Sequence, residues 1–252
     1  QVLLADAAQF PRDKTCGDGL TPRAVAELQR LGMADFLSGR VTNFGLRAHG
    51  FGQTLHLPWN GPNLPGRGSA APRLELDAAI RQVALSAGAA ALDGARAVDV
   101  EFDGDRLAAV WFDTAETRIR VAAETVIVAD GAKSQLGRLL GRDWHKDTVY
   151  GVAARGYIAS GKSTDPWISS HLELRGAAGE ILSGYGWIFP LGDGKVNIGV
   201  GTLATDARPA DVNLKQLLSI YTEQQRTEFD LSGEVSDAKS ALLPMGGAVS
   251  GV

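Results

Sequence analysis

A single cysteine, Cys16, stands among the 252 residues, so no intrachain disulfide can form. That fits a reducing compartment and points to the cytoplasm. Basic residues are in slight deficit, 25 against 29 acidic ones, which removes any electrostatic ground for nucleic-acid binding. No apolar run approaches the roughly 20 residues that a membrane-spanning helix needs. No charged-then-apolar leader opens the chain. The expectation is a soluble protein that at most makes transient contact with the inner face of a membrane. Motifs of hydrolytic and phosphoryl-transfer chemistry are missing as well: there is no G-x-S-x-G, no H-E-x-x-H and no P-loop. His49, His56, His145 and His171 show no metal-ligand spacing, so no metal is expected. The opening is abrupt. Gln1 leads straight into an apolar run, and five residues ahead of Asp6 leave no room for a glycine-rich dinucleotide loop. On that ground the sequence reads as a piece of a longer chain.

Glycine, by contrast, is plentiful at 31 residues, many of them just past apolar runs. It belongs where a backbone turns sharply or approaches a ligand closely. Residues 2–5 read as a short buried parallel strand ending in Asp6. After a loop over 10–20, Thr21 caps a helix that starts at Pro22, with Val25, Leu28 and Leu31 on its apolar face. Residues 39–72 read as irregular strands and loops. A second helix is expected over 77–87, with Ile80, Val83, Ala84 and Ala87 inward. Residues 97–102 and 107–112 form a hairpin about Asp103-Gly104-Asp105. A strand at 118–121 and a buried strand at 125–129 follow. From about residue 147 the texture becomes that of an antiparallel sheet, with strands at 149–159, 170–174, 184–190 and 195–202. Leu214, Leu217, Leu218 and Tyr221 then mark one amphipathic helix. The order predicts an α/β nucleotide-binding domain, residues 1–38 and 73–147, and an α+β domain, residues 39–72 and 148–252.

Four places carry candidate chemistry, each with a plainer reading beside it. Asp6 ends an apolar strand, where an acidic residue can hold a ribose hydroxyl; the spacing by itself favours the plainer reading, a solvated strand-end carboxylate. Asp130-Gly131 ends another apolar run, at a sheet edge where ligands bind, or at an ordinary strand-to-helix turn. In Cys16-Gly17-Asp18-Gly19 two glycines around a carboxylate let the backbone approach a flat ring or a phosphate, and Cys16 is better read as packing there than as a nucleophile. Tyr185, Trp187 and Phe189, two residues apart, point to one side of a strand that ends at Pro190. That row is either an aromatic wall for a long apolar substrate or a sheet face packed on the helix around Leu214 to Tyr221.

Taken in order, these segments resemble the geranylgeranyl-reductase family of flavoproteins. The run from Phe10 to Arg23, containing Lys14-Thr15-Cys16-Gly17-Asp18-Gly19, is similar to the segment after the family's second strand. Val128-Ala129-Asp130-Gly131 resembles its D-G motif, and Tyr185 to Pro190 its Y-x-W-x-F-P motif. Val196 to Gly201 and Leu243-Pro244-Met245-Gly246-Gly247 are similar as well. The resemblance implies a p-hydroxybenzoate-hydroxylase-like fold: an FAD-binding Rossmann-like domain, here without its glycine-rich unit, and an antiparallel-sheet substrate domain. It implies FAD as cofactor, with Asp6 on the adenosine ribose, Cys16 to Gly19 along the flavin, Arg73 reaching the cofactor, Val98 meeting adenine through its backbone, and Asp130 and Gly131 beside it. Tyr185, Trp187, Phe189 and Pro190 would line the substrate site. The implied activity is reduction of a C=C bond in the isoprenoid chain of a lipid or a quinone such as menaquinone. The electron donor is left unnamed. A flavin monooxygenase shares the fold and is the rival enzyme, and a non-catalytic prenyl-binding module is the rival of another class.

Overall fold

The computed structural model describes residues 1–142, 149–205 and 207–245. His145 and the Gly246-Gly247 pair lie outside them. In chain order the elements are β1 (Leu3–Asp6), β2 (Gly19–Leu20), α1 (Pro22–Arg30), α2 (Ala34–Ser38), β3 (Thr42–Asn43), β4 (Gly45–Gly50), β5 (Gln53–Pro58) and β6 (Gly68–Ala70). Then come α3 (Arg73–Ser86), β7 (Ala90–Asp93), β8 (Arg96–Asp103), β9 (Arg106–Asp113), β10 (Arg118–Ala122) and α4 (Gln135–Leu139). The last are β11 (Tyr150–Ser160), β12 (Trp167–His171), β13 (Gly184–Pro190), β14 (Lys195–Ala204), α5 (Leu214–Gln225) and β15 (Leu231–Pro244). Among the described residues no helix is long and apolar enough to cross a membrane.

The chain divides into two compact units, one drawn from residues 1–12 and 80–142, the other from 13–79, 149–205 and 207–245. Residues 13–38 and 73–79, grouped by the sequence reading with the nucleotide-binding domain, fall in the second unit. In the first unit β1 pairs with β7 in parallel, and β8, β9 and β10 form an antiparallel sheet. The expected hairpin is there, with Asp103 opposite Arg106 and a two-residue turn between. Its ladder slips between Ala97 and Asp99, leaving Val98 as the extra residue of a bulge. The buried strand expected over 125–129 is not formed. Those residues carry no strand pairing, and Ile127 is 87% exposed. Leu3 and Leu4 of β1 are exposed too, against expectation. An apolar run is a buried strand only where neighbours complete its ladder and cover its faces. Among the described residues none does so for 125–129.

The second unit is built on a seven-stranded sheet in the order β15-β11-β14-β13-β12-β4-β5, antiparallel except for β12 beside β4. Pairing across the strands defines its two faces. On one face Ile188, Val196, Ile198 and Val200 are fully buried against Leu217, Leu218 and Tyr221 of α5. Phe229 and Leu231 complete this core. The α5 contact needs Gly186, since a Cβ there would collide with the Tyr221 ring. Thr21 caps α1 as its sequence suggests, accepting from the Ala24 N–H at 3.5 Å. Two helix faces differ from expectation: Leu31 is exposed beyond the end of α1, and α3 starts four residues early, directly after Pro72. The ring of proline pre-sets a helix start there. Leu76 is the buried residue of α3, whereas Ile80 and, just past the helix end, Ala87 are exposed.

Candidate functional site

The other face of the sheet carries Tyr185, Trp187 and Phe189 of β13. Cross-strand register sets Gly201, Gly199 and Asn197 of β14 opposite them, and Ala153, Arg155 and Tyr157 of β11 beyond. The aromatic row is real, with ring centroids 5.7 Å apart from Tyr185 to Trp187 and 6.5 Å from Trp187 to Phe189. It does not pack on α5, which takes the opposite face through Gly186 and Ile188. The indole of Trp187 lies over Gly199, where any Cβ would enter its ring. Trp187 is accordingly buried, whereas Tyr185 keeps 43% of its surface open. Pro190 pairs with Val196 and lies with it on the core side.

Residues 13–19 run across this aromatic face and are fastened at several points. Asp13 pairs with Arg155 at 2.6 Å and with Lys239 at 2.7 Å. Arg155 is fully buried and also donates to the carbonyls of Lys14 at 3.1 Å and Asp237 at 3.0 Å. Burial opposes its charge, but Asp13 and the neighbouring acids raise its pKa on balance. Asp13 shows the converse: burial works against its ionised form, yet Arg155 and Lys239 hold its pKa below the usual carboxylate value. Asp18, fully buried in a left-handed backbone conformation (φ 63°), accepts through Oδ2 from the Tyr157 hydroxyl at 2.8 Å and from Asn197 Nδ2 at 2.9 Å. Its other oxygen has no partner among the described residues, and burial raises its pKa despite these donors. The same burial, with the Asp18 carboxylate beside it, pushes the Tyr157 phenol up. Asn197 Nδ2 donates to the Cys16 carbonyl at 3.0 Å, and its Oδ1 accepts from Trp187 Nε1 at 2.9 Å.

The two glycines of the Cys16 loop have an internal partner. A Cβ on Gly17 would stand 2.8 Å from the Phe189 ring and 3.2 Å from Trp187 Nε1, and one on Gly19 would stand 3.0 Å from Phe189. Their freedom lets the loop lie against the protein's own aromatic row. Arg73 opens α3 and grips Asp77 through two nitrogens, at 2.6 and 2.9 Å. Burial lowers the pKa of its guanidinium, but Asp77 first and the Cys16 thiol after it raise it on balance. The second unit therefore brings together Cys16, Gly17, Asp18, Gly19, Arg73, Trp187 and Phe189.

The remaining predicted residues lie in the first unit. Asp6 ends β1; its carboxylate accepts from the Ala8 N–H at 2.9 Å and from Arg12 Nε at 3.0 Å. Val98 is the bulge residue of β8. Asp130 accepts from the Leu136 N–H at 2.9 Å and from the Ser134 hydroxyl, and Ser134 in turn caps α4. Asp130 and Gly131, the latter at φ 88°, thus organise a turn into a short helix.

Arg155, Tyr157 and Asn197 escaped sequence reasoning. A charge amid the apolar run of β11 and an amide within β14 were the available signals. On the core face, His49 and His171 stack at 4.4 Å although 122 residues separate them, beyond the reach of any spacing rule. Tyr221 meets His171 Nδ1 at 2.5 Å, and burial, then His49 and Arg47, hold the His171 pKa down to about 3.

No family model matches the chain. It is 59% identical over all 252 residues to a menaquinone reductase of Mycolicibacterium smegmatis and 55% identical over 251 residues to a menaquinone reductase of Mycobacterium tuberculosis. The chain spans 61% of the length of each. More distant is a digeranylgeranylglycerophospholipid reductase of Methanopyrus kandleri, 25% identical over 82% of the chain and 52% of that protein. Among solved structures, a flavoprotein/dehydrogenase from Cytophaga hutchinsonii superposes with a TM-score of 0.78 at 17% identity, over 96% of this chain and 60% of that one. A geranylgeranyl bacteriochlorophyll reductase-like protein from Thermoplasma acidophilum gives 0.76 at 20% identity, over 95% and 59%. A flavin-dependent brominase gives 0.71 at 17% identity, over 96% and 60%. The expected flavoprotein fold and the geranylgeranyl-reductase resemblance are both borne out.

Proposed function

We propose that this chain carries the substrate face and part of the cofactor site of an FAD-dependent oxidoreductase that saturates a C=C bond in an isoprenoid chain, with the menaquinone tail as substrate. The carrying observation is identity of 55–59% along the whole chain to proteins named menaquinone reductase. The geometry supports it. On the aromatic face of the sheet, register adds Leu55 and Leu57 of β5 and Leu203 of β14, all well exposed, to the open side of Tyr185. Such a surface suits a long hydrocarbon and offers little to a small polar substrate.

The residues fit an FAD. Val98 sits at a break in its ladder, so its main chain is available to an adenine edge. Asp6 keeps acceptor capacity beyond its two bonds, since a carboxylate offers about four lone-pair sites. When bound, the flavin supplies the hydride; the protein supplies orientation and dryness. Cys16 to Gly19 would lie along it and Arg73 would reach it, with Tyr185, Trp187 and Phe189 lining the site of the isoprenoid unit. Asp130 and Gly131 would border the cofactor through their turn. A quinone of this kind resides in a bilayer, so catalysis would require contact with the cytoplasmic membrane surface. The archaeal relatives support a second substrate class, geranylgeranyl lipids. A flavin monooxygenase remains the rival activity, because halogenating flavoproteins share this fold.

The test is the visible spectrum of the full-length protein together with the mass of menaquinone incubated with it and a flavin reductant. A flavin spectrum and a gain of two hydrogens in the tail are expected. A flavin-loaded protein that leaves the quinone unchanged contradicts the reading. Oxygen consumed in step with a hydroxylated product identifies the monooxygenase instead.

A further inference from the structure

One side chain touches both halves of the network beneath the Cys16 loop. Asn197 holds the Cys16 carbonyl and Asp18 Oδ2 with its nitrogen, and the Trp187 indole with its oxygen. It is fully buried, so no water competes for these bonds. Among the hydrogen bonds described, no other side chain of the network does both. Tyr157 reaches Asp18 alone, and Arg155 reaches Asp13 and two carbonyls. The amide has one sensible orientation. Turned over, its NH2 would face the indole N–H and its oxygen would face two acceptors.

We propose that Asn197 is a positioning residue that sets the Cys16–Gly19 loop and the Trp187 indole relative to each other. The inference rests on the proposed function, in which these two flank the cofactor and the isoprenoid unit. Three observations argue for a set position. The loop runs through the left-handed conformation of Asp18, a costly one for a non-glycine residue. Gly17 leaves only contact distance between loop and indole. The planar amide then fixes both by directional bonds, so that a small displacement at 197 moves the loop and the ring together.

The test uses Asn197→Asp and Asn197→Leu in the full-length protein. A carboxylate at 197 still accepts from the indole, but it faces Cys16 and Asp18 with lone pairs against lone pairs. Protonation restores one donor. Turnover of Asn197→Asp should therefore fall about 100-fold at pH 8 and recover as the pH drops towards 5.5, a limb that wild type lacks. Asn197→Leu should stay low throughout. The double variant Asn197→Asp with Asp18→Asn returns a donor to the pair and should regain about tenfold at pH 8. Independently of activity, the indole N–H resonance of Trp187, assigned through Trp187→Phe, should titrate in Asn197→Asp and stay fixed in wild type. Wild-type turnover in Asn197→Asp at all pH, or an indole resonance that does not titrate together with no rescue in the double variant, overturns the proposal. If the indole titrates while wild type leaves the quinone unchanged, the clamp stands and the proposed activity falls.

Discussion

The two faces of the seven-stranded sheet are made from alternate residues of the same strands, yet they obey different rules. Ile188 and its neighbours face α5 and bury hydrocarbon completely. Trp187, Phe189 and Tyr185 face a loop and an open apolar surface, and Asp18, Arg155 and Asn197 are buried on the same side of the sheet. A closed apolar core is held mainly by burial. A face with buried charges and amides is held by directional bonds whose loss costs more than their presence contributes. The first face reads as stability and the second as a site.

The contrast can be tested at five residues. The largest effect belongs to the core. Ile188→Ala should cost about 3 kcal/mol, read from denaturant unfolding; a loss under 1 kcal/mol would mean the core is looser than its burial suggests. His171 tests the same face through pH. Its pKa in the fold, about 3, lies below its ordinary 6.5. The unfolded chain therefore takes up a proton that the native chain refuses, and stability should fall as pH drops from 6.5 towards 3. The slope is about 1.4 kcal/mol per pH unit for one proton, and His171→Gln should flatten it. Asp13 has the opposite chemistry but loses stability in the same direction: its lowered pKa means that its contribution is present above 3.8 and disappears only below that value. Trp187→Phe removes one buried hydrogen bond, so about 1 kcal/mol should be lost while isoprenoid turnover falls and flavin content is unchanged. Tyr185→Ala should barely move stability, within about 0.5 kcal/mol, and should raise KM for the quinone. If Tyr185→Ala unfolds the protein instead, its face is structural.

The core face was the more legible of the two in the sequence. Leu217, Leu218 and Tyr221 recur at helical spacing, and β13 and β14 alternate cleanly. Both patterns follow from local geometry alone. The site was legible only in its aromatic row and its glycine loop. Arg155 and Asn197 acquire meaning from register across β11, β13 and β14, and register is a long-range property. Residues 125–129 show the reverse failure. Their apolar run satisfies every local rule for a buried strand, but burial depends on neighbours that composition does not supply.

Photolabelling tests the division between the faces most directly. A menaquinone analogue with a photoreactive group on its second isoprene unit would be irradiated with the flavin-loaded, full-length protein, and the labelled residues mapped by mass spectrometry. The account predicts label on Tyr185, Leu57 or Leu203, displaced by unmodified menaquinone. Displaceable label confined to other parts of the chain, with the aromatic face unmarked, would contradict it.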